Sequence, residues 1–203
     1  MRTPSPNHAI CLETPVACRL LIRAMDQHRP TISGDLTGDH ERLADLLNRA
    51  TATPGAFDGA AFTEFRRGLL RHIAMEEKVL LPAATRARGG EPLAIAAQLR
   101  LDHGALAALL VPSPTRGIVR AIRTILDRHN ALEEGPDGLY ATCERLAGPG
   151  ADALAAELRA TPEVPVAPHN DDPRATAATH RALARAGYDA TLIDERGQPE
   201  EAI

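Results

Sequence analysis

The sequence predicts an all-α protein whose core is a bundle of four helices, and three observations point there. Hydrophobic residues make up 44 % of the 203-residue chain, yet aromatic residues make up only 2 % and Trp is missing. An apolar fraction dominated by Ala and Leu favours close-packed helices over strands, which draw on Val, Ile, Tyr, Phe and Thr. Apolar residues recur at helical spacing in four long stretches, each bounded by Pro, Gly or a capping residue. Those stretches also form two similar pairs. GDHERLADLLNRA at 38–50 and LDHGALAALLVPS at 101–113 share the frame Asp-His-x-x-Leu-Ala-x-Leu-Leu, and each precedes an Arg-His-x-Ala-x-Glu-Glu segment, RHIAMEE at 71–77 and RHNALEE at 128–134.

The elements follow in order. Residues 1–33 are punctuated by Pro and carry one candidate short helix at 15–28, with no role that the sequence assigns. The first helix runs from Leu36 to Ala50 and is closed by TATPGAFDG, whose Pro54 and Gly55 are breakers. The second runs from Gly59 to Arg86, ended by Gly89 and Gly90, and Pro92 opens the third, which extends to Val111. PSP at 112–114 stops it, Thr115 is the candidate cap of the fourth, and GPDG at 135–138 ends that one. Short helices are expected at 139–147 and 151–160. Beyond Thr161, TPEVPVAPHNDDP reads as a linker to an amphipathic piece at 174–186 and a polar end, a tail that is either disordered or packed on the bundle. The domain expected on this reading is 34–161, with 162–203 as linker and tail.

Composition narrows the partners. A net charge of −4 and a pI near 6.1 argue against nucleic acid or an anionic membrane surface. Three cysteines, Cys11, Cys18 and Cys143, are a sparse, odd set that suits a reducing compartment. The run PVACRLLI at 15–22 is too short, and too interrupted by Arg19, for a signal peptide or a membrane span. A cytoplasmic protein is expected.

Apolar spacing then locates the chemistry. In the second helix Phe62, Phe65, Leu69, Leu80 and Ala83 trace one face, and His72 and Glu76 take the missing steps. The first helix has Leu36, His40, Leu43, Leu47 and Ala50 on its seam, and the third has Ala96, Leu99, His103, Leu106 and Leu110. The fourth has Ile118, Ile122, Ile125, His129 and Glu133. Each helix thus turns one histidine to the core, and two add a carboxylate one turn later. Measured from the shared turn, His72 and His103 differ in height by only roughly 4 to 5 Å at about 1.5 Å of rise per residue. His40 and His72 match similarly. The third and fourth helices match less well, and a slanted loop or a late helix start would absorb the difference.

Two carboxylates buried among apolar neighbours cost several kcal/mol each unless paired or coordinated, and no Lys or Arg lies on the seams. Cations resolve that cost. Four imidazoles and two carboxylates without sulfur suit iron, manganese or zinc better than calcium or copper(I). Two ions fit better than one, because each would take two imidazoles while Glu76 and Glu133 bridge them, a known use of four-helix bundles. The bland reading of any one core histidine is a hydrogen-bonded structural residue.

The segments DHERLADLL, RHIAMEEKVLLP, DHGALAALL and RHNALEE resemble the hemerythrin family, specifically its HHE cation-binding branch, over about residues 35–145. The resemblance implies an up-down-up-down four-helix bundle holding a non-haem di-iron centre with an oxo or hydroxo bridge. His40, His72, Glu76, His103, His129 and Glu133 are then its ligands, with zinc or manganese as the other metals. Oxygen-carrying members place a second histidine on the third helix, where this chain has Ala107, and use His-x4-Asp on the fourth, where it has His129 and Glu133. With one imidazole fewer the site is expected to be more open to exogenous ligands, which favours redox chemistry, sensing or metal handling over reversible oxygen carriage.

The functional expectation is a di-iron protein that senses dioxygen, nitric oxide or redox state, or serves an iron-linked stress response, with the C-terminal tail as the surface for a protein partner. The alternatives are a redox enzyme or an iron donor in stress repair, and an interaction protein with a structural zinc or iron clip; whether the chain is an enzyme stays open. Glu77, Glu134, Asp39 and Asp102 either orient the imidazoles or, the commoner case, are solvated helix charges. Tyr140 either hydrogen-bonds an oxygen species at the metal or, the commoner case, is a packed tyrosine. The cysteines have no visible low-pKa environment. His169 and His180 are read as surface or packing residues, and substitution of His169 is expected to leave metal content and stability unchanged.

Overall fold

The computed structural model describes residues 31–54 and 56–194, and the candidate helix at 15–28 lies outside them, as do Cys11, Cys18, His8 and His28. Helix α1 spans Ile32–Ala50 and α2 spans Gly59–Met75. A π-helical turn, Glu76–Leu80, carries α2 directly into α3, Leu81–Ala87. Then come α4 (Ala96–Leu109), α5 (Arg116–Glu134), α6 (Leu139–Ala147), α7 (Ala151–Arg159) and α8 (Pro173–Ala186), with a short 3-10 turn at Ala190–Ile193. Among the described residues there is no strand, and no helix is long and apolar enough to cross a membrane. The all-α expectation is borne out.

Capping residues set the starts. The Thr31 hydroxyl accepts from the Gly34 amide at 2.9 Å, so α1 begins four residues before Leu36, and Ile32 is fully buried one turn ahead of it. Asp58 accepts from the Ala60 and Ala61 amides, and Thr115 from Ile118 at 3.1 Å, as its position before the fourth apolar stretch predicts. No side chain caps α4. It starts at Ala96 rather than Pro92, after a tight turn closed by the Ala96 amide on the Leu93 carbonyl.

The second long helix is not continuous. The Leu81 amide donates to the Glu76 carbonyl five residues back, which widens the helix by one residue. Pro82 explains the place. It has no N–H, and its ring would clash with the carbonyl four residues earlier in a regular helix, so the ladder opens just before it. The face shifts accordingly: Ala84 is buried where regular spacing had placed Ala83.

Two apolar clusters reveal the topology. One gathers Leu43 and Leu47 of α1, Phe62, Phe65 and Leu69 of α2, Leu106 and Leu109 of α4, and Ile118, Ile122 and Ile125 of α5. The other gathers Ile32 and Leu36, Met75 and Leu80, Leu99, Leu139 and Tyr140. Successive helices enter these clusters in opposite order, which is the up-down-up-down arrangement. The histidines and Glu76 and Glu133 fall between the clusters on every helix, a polar layer with apolar residues above and below.

The described part of the C-terminal tail, residues 162–194, packs on the bundle. Helix α8 lies on α4, with the Thr179 hydroxyl donating to the Ala108 carbonyl at 3.0 Å and Leu183 and Ile193 inside the first cluster. A Cβ on Gly117 of α5 would stand 2.9 Å from the Ile193 carbonyl oxygen, so glycine there admits the closing turn. The extended stretch before α8 is held by Arg71 on the Thr161 carbonyl, Arg66 on the Ala167 carbonyl and His169 Nδ1 on the Pro112 carbonyl. His169 therefore packs, with its ring stacked on Phe62, and His180 pairs with Asp194 at 3.3 Å.

A candidate metal centre between two apolar layers

The six residues named from the helix seams come together. Glu76 and Glu133 are fully buried, and His72, His129, His103 and His40 are exposed by 7 % or less. The imidazole rings pair across helices, His40 with His72 at 4.4 Å between centroids and His103 with His129 at 4.8 Å. His103 of α4 and His129 of α5 thus meet despite the height difference that counting from their shared turn suggests.

Around this centre the Nδ1 atom of every imidazole meets a carboxylate. His40 meets Glu134 at 2.6 Å, His72 meets Asp39 at 2.9 Å, His103 meets Glu77 at 2.7 Å and His129 meets Asp102 at 3.4 Å. Carboxylates accept, so Nδ1 carries a proton and donates, which turns each Nε2 atom inward. The four acids that the sequence leaves closer to solvated charges are the groups that fix the imidazoles.

Inside, Nε2 atoms and carboxylate oxygens converge. His72 Nε2 is 3.3 Å from Glu76 Oε1, His103 Nε2 is 3.0 Å from Glu76 Oε2, and His129 Nε2 is 3.1 Å from Glu133 Oε1. One ligand atom each from His40, His72, Glu76 and Glu133 lies within 4.8 Å of the others, and the same holds for Glu76, His103, His129 and Glu133. Both glutamates belong to both groups. Glu76 Oε2, His103 Nε2 and Glu133 Oε1 are buried with no hydrogen-bond partner, although the first two are only 3.0 Å apart. Buried lone pairs left unsatisfied cost free energy, and lone pairs aimed at a common point are what a cation satisfies. The donor set fits metal ions.

Comparison with known families matches the hemerythrin HHE cation binding domain over residues 31–140. The chain belongs to the hemerythrin family. The match opens on the Thr31 cap and ends on Tyr140, so it covers the whole bundle. No curated protein and no solved structure matches the chain. Membership in a cation-binding family and the unsatisfied inward atoms agree that this hemerythrin domain binds metal ions.

Without a cation, the charges of the hemerythrin site balance through protons. Burial works against an imidazolium at His72, but Glu76 and Asp39 raise its pKa to about 10. Burial opposes the charge at His129 too, and Asp102 and Glu133 raise it to about 10. At Glu76 burial opposes ionisation, yet His72 and His103 hold its carboxyl well below the usual range. Burial and the Glu76 charge push Glu133 up, and burial and His72 lower His40.

Two further residues of the domain reach the site. Gly138 lets the chain reverse after α5, since a Cβ there would lie 2.5 Å from the Glu133 carbonyl oxygen, and the reversal brings Tyr140 inward. Its hydroxyl is 2.7 Å from Glu76 Oε1 and 3.1 Å from Glu133 Oε2, so it is more than a packed tyrosine. Gln98, unmarked in the sequence reading, donates to Asp102 at 2.8 Å and lies 3.4 Å from the Ala186 carbonyl at the end of α8. Its signal was the i, i+4 spacing to Asp102. Cys143 is buried, and burial with the Glu76 charge pushes its thiol up to about 12, which leaves it inert at neutral pH.

Proposed function

We propose that this hemerythrin-family chain holds two non-haem iron ions, bridged by Glu76 and Glu133, and uses them to sense dioxygen, nitric oxide or redox state. The observation that carries the dinuclear reading is the sharing of both carboxylates between two pairs of inward-facing imidazoles. His40 and His72 would hold one ion, and His103 and His129 the other. Bound iron would supply one-electron chemistry and affinity for small diatomic ligands. The protein's own part is to lock four Nε2 atoms inward, keep the layer dry between two apolar clusters, and give up the imidazole protons as metal enters. Zinc or manganese would suit the same donors.

A specific contact chain favours sensing over turnover. His129 donates to Asp102, Asp102 accepts from Gln98, and Gln98 reaches the last turn of α8. A change in charge at the ion beside His129 alters the pull on Asp102 and hence on the C-terminal helix, the surface proposed for a protein partner. We place this activity in the cytoplasm, on the sparse cysteine usage, and without a nucleic-acid partner, on the acidic charge.

Hydrogen exchange tests the sensing claim. Amides of residues 173–193 should differ in protection between the diferrous and diferric forms. Identical protection, with steady consumption of an oxidant beyond stoichiometry, would favour the redox enzyme instead.

A further inference from the structure

The two halves of the site are not alike. All three of its unsatisfied inward atoms, Glu76 Oε2, Glu133 Oε1 and His103 Nε2, lie in the half built with His103 and His129. In the other half the corresponding space holds the Tyr140 hydroxyl. That oxygen stands 2.7 Å from Glu76 Oε1, 3.1 Å from Glu133 Oε2, 3.1 Å from His40 Nε2 and 3.3 Å from His72 Nε2. A neutral phenol donates once and accepts at most twice, so four polar neighbours exceed what its hydrogen bonds use. Two of them are carboxylates competing for a single proton. The spacing has another meaning: donor atoms at right angles on one ion, each about 2.1 Å from it, lie about 3 Å apart. All four distances fall around that value. Tyr140 is fixed there, 1 % exposed in the second apolar cluster, on a helix pinned by the Gly138 reversal.

We propose that the Tyr140 oxygen is a fifth protein donor to the ion between His40 and His72, so that the ion between His103 and His129 is the one that keeps a position for a small exogenous ligand. The inference rests on the dinuclear reading above. On binding, the phenol O–H bond breaks as the oxygen–metal bond forms, the proton leaves to solvent, and no electron is transferred. The two ions are then inequivalent: one has two nitrogens and three oxygens from the protein, the other two nitrogens and two oxygens. The open ion is also the one beside His129, where the contact chain to α8 begins.

The test uses the full chain loaded with ferrous salt under anaerobic conditions and oxidised with ferricyanide, with iron counted by elemental analysis. The diferric protein should show a phenolate-to-iron(III) charge-transfer band in the visible and tyrosinate modes in its resonance Raman spectrum. Tyr140→Phe should lose both while retaining two irons. Azide added to the wild-type protein should leave the tyrosinate modes in place. Two irons per chain without tyrosinate modes would overturn the ligation and leave the dinuclear reading standing. Loss of those modes on adding azide would overturn the placement of the open position. Failure to load two irons would overturn both readings, and the iron count identifies that case. The Raman spectrum of the wild-type protein decides the matter even where Tyr140→Phe loads poorly.

Discussion

Glu76→Ala and Glu133→Ala are expected to purify with at most one metal ion per chain and to melt on the order of 10 °C below the wild-type protein. Each glutamate is fully buried and lies within reach of both imidazole pairs, so in the proposed dinuclear centre its removal would strip a donor from both ions at once. The imidazoles left behind are buried without their counter-charge, and breaking a buried pair from one side costs roughly 3 to 5 kcal/mol. For a chain of this size each kcal/mol moves the melting temperature by about 2 to 4 °C. Lost metal adds to the effect, because a ligand that binds only the folded state stabilises it by mass action. His169→Ala separates the two causes. Contrary to the sequence expectation, it should lower the melting temperature, since the ring packs on Phe62 and holds the Pro112 carbonyl, while metal content stays as in the wild type. Elemental analysis beside thermal unfolding reads both; full metal content in both glutamate variants would refute the bridging assignment.

Metal affinity is expected to rise by at least about two orders of magnitude per pH unit between pH 7 and pH 9, because at least two imidazole protons must leave, and ligation by Tyr140 would release one more. Two of those protons sit on His72 and His129, whose pKa values in the metal-free protein are raised to about 10 by the carboxylates around them, against the opposing effect of burial. Stability of the metal-free fold runs the other way. A raised imidazole contributes stability that is fully present below its ordinary value of 6.5 and is lost as pH rises through about 10. Glu133, also raised, acts in the same direction. Glu76 is depressed, so its contribution is present above 4.5 and lost as pH falls through its lowered value. The metal-free protein should therefore be most stable in mild acid, where its metal affinity is weak. Competition of zinc(II) against a chelator at pH 7, 8 and 9, with unfolding of the metal-free protein at the same values and at pH 5 and 6, measures both slopes. An affinity independent of pH would show that the imidazoles are neutral before metal arrives.

The seams were legible because His40, His72, His103, His129, Glu76 and Glu133 sit at steps where a helix alone would place leucine. Periodicity within one helix reports burial, and burial of a charge demands a partner. The acids one residue away were not legible. Glu77 follows Glu76 and Asp39 precedes His40, so each looks like the start of a solvated face, yet each one's imidazole belongs to another helix, His103 for Glu77 and His72 for Asp39. Asp102 is buried because α8 covers a second side of α4, a contact made by residues far along the chain. The π turn was hidden because one inserted residue shifts the apolar face by only one position, from Ala83 to Ala84. Pro82 was its mark. Tyr140 lies beyond a reversal whose direction depends on the close approach of Gly138 to Glu133, so the aim of its hydroxyl could not be read from spacing.

The most direct measurement is the metal content of the full chain, made in iron-supplied cells and purified without chelator. Close to two irons per chain is the result expected of carboxylates shared between two imidazole pairs. One zinc or less per chain, with no iron taken up on anaerobic reconstitution, would contradict the dinuclear iron centre.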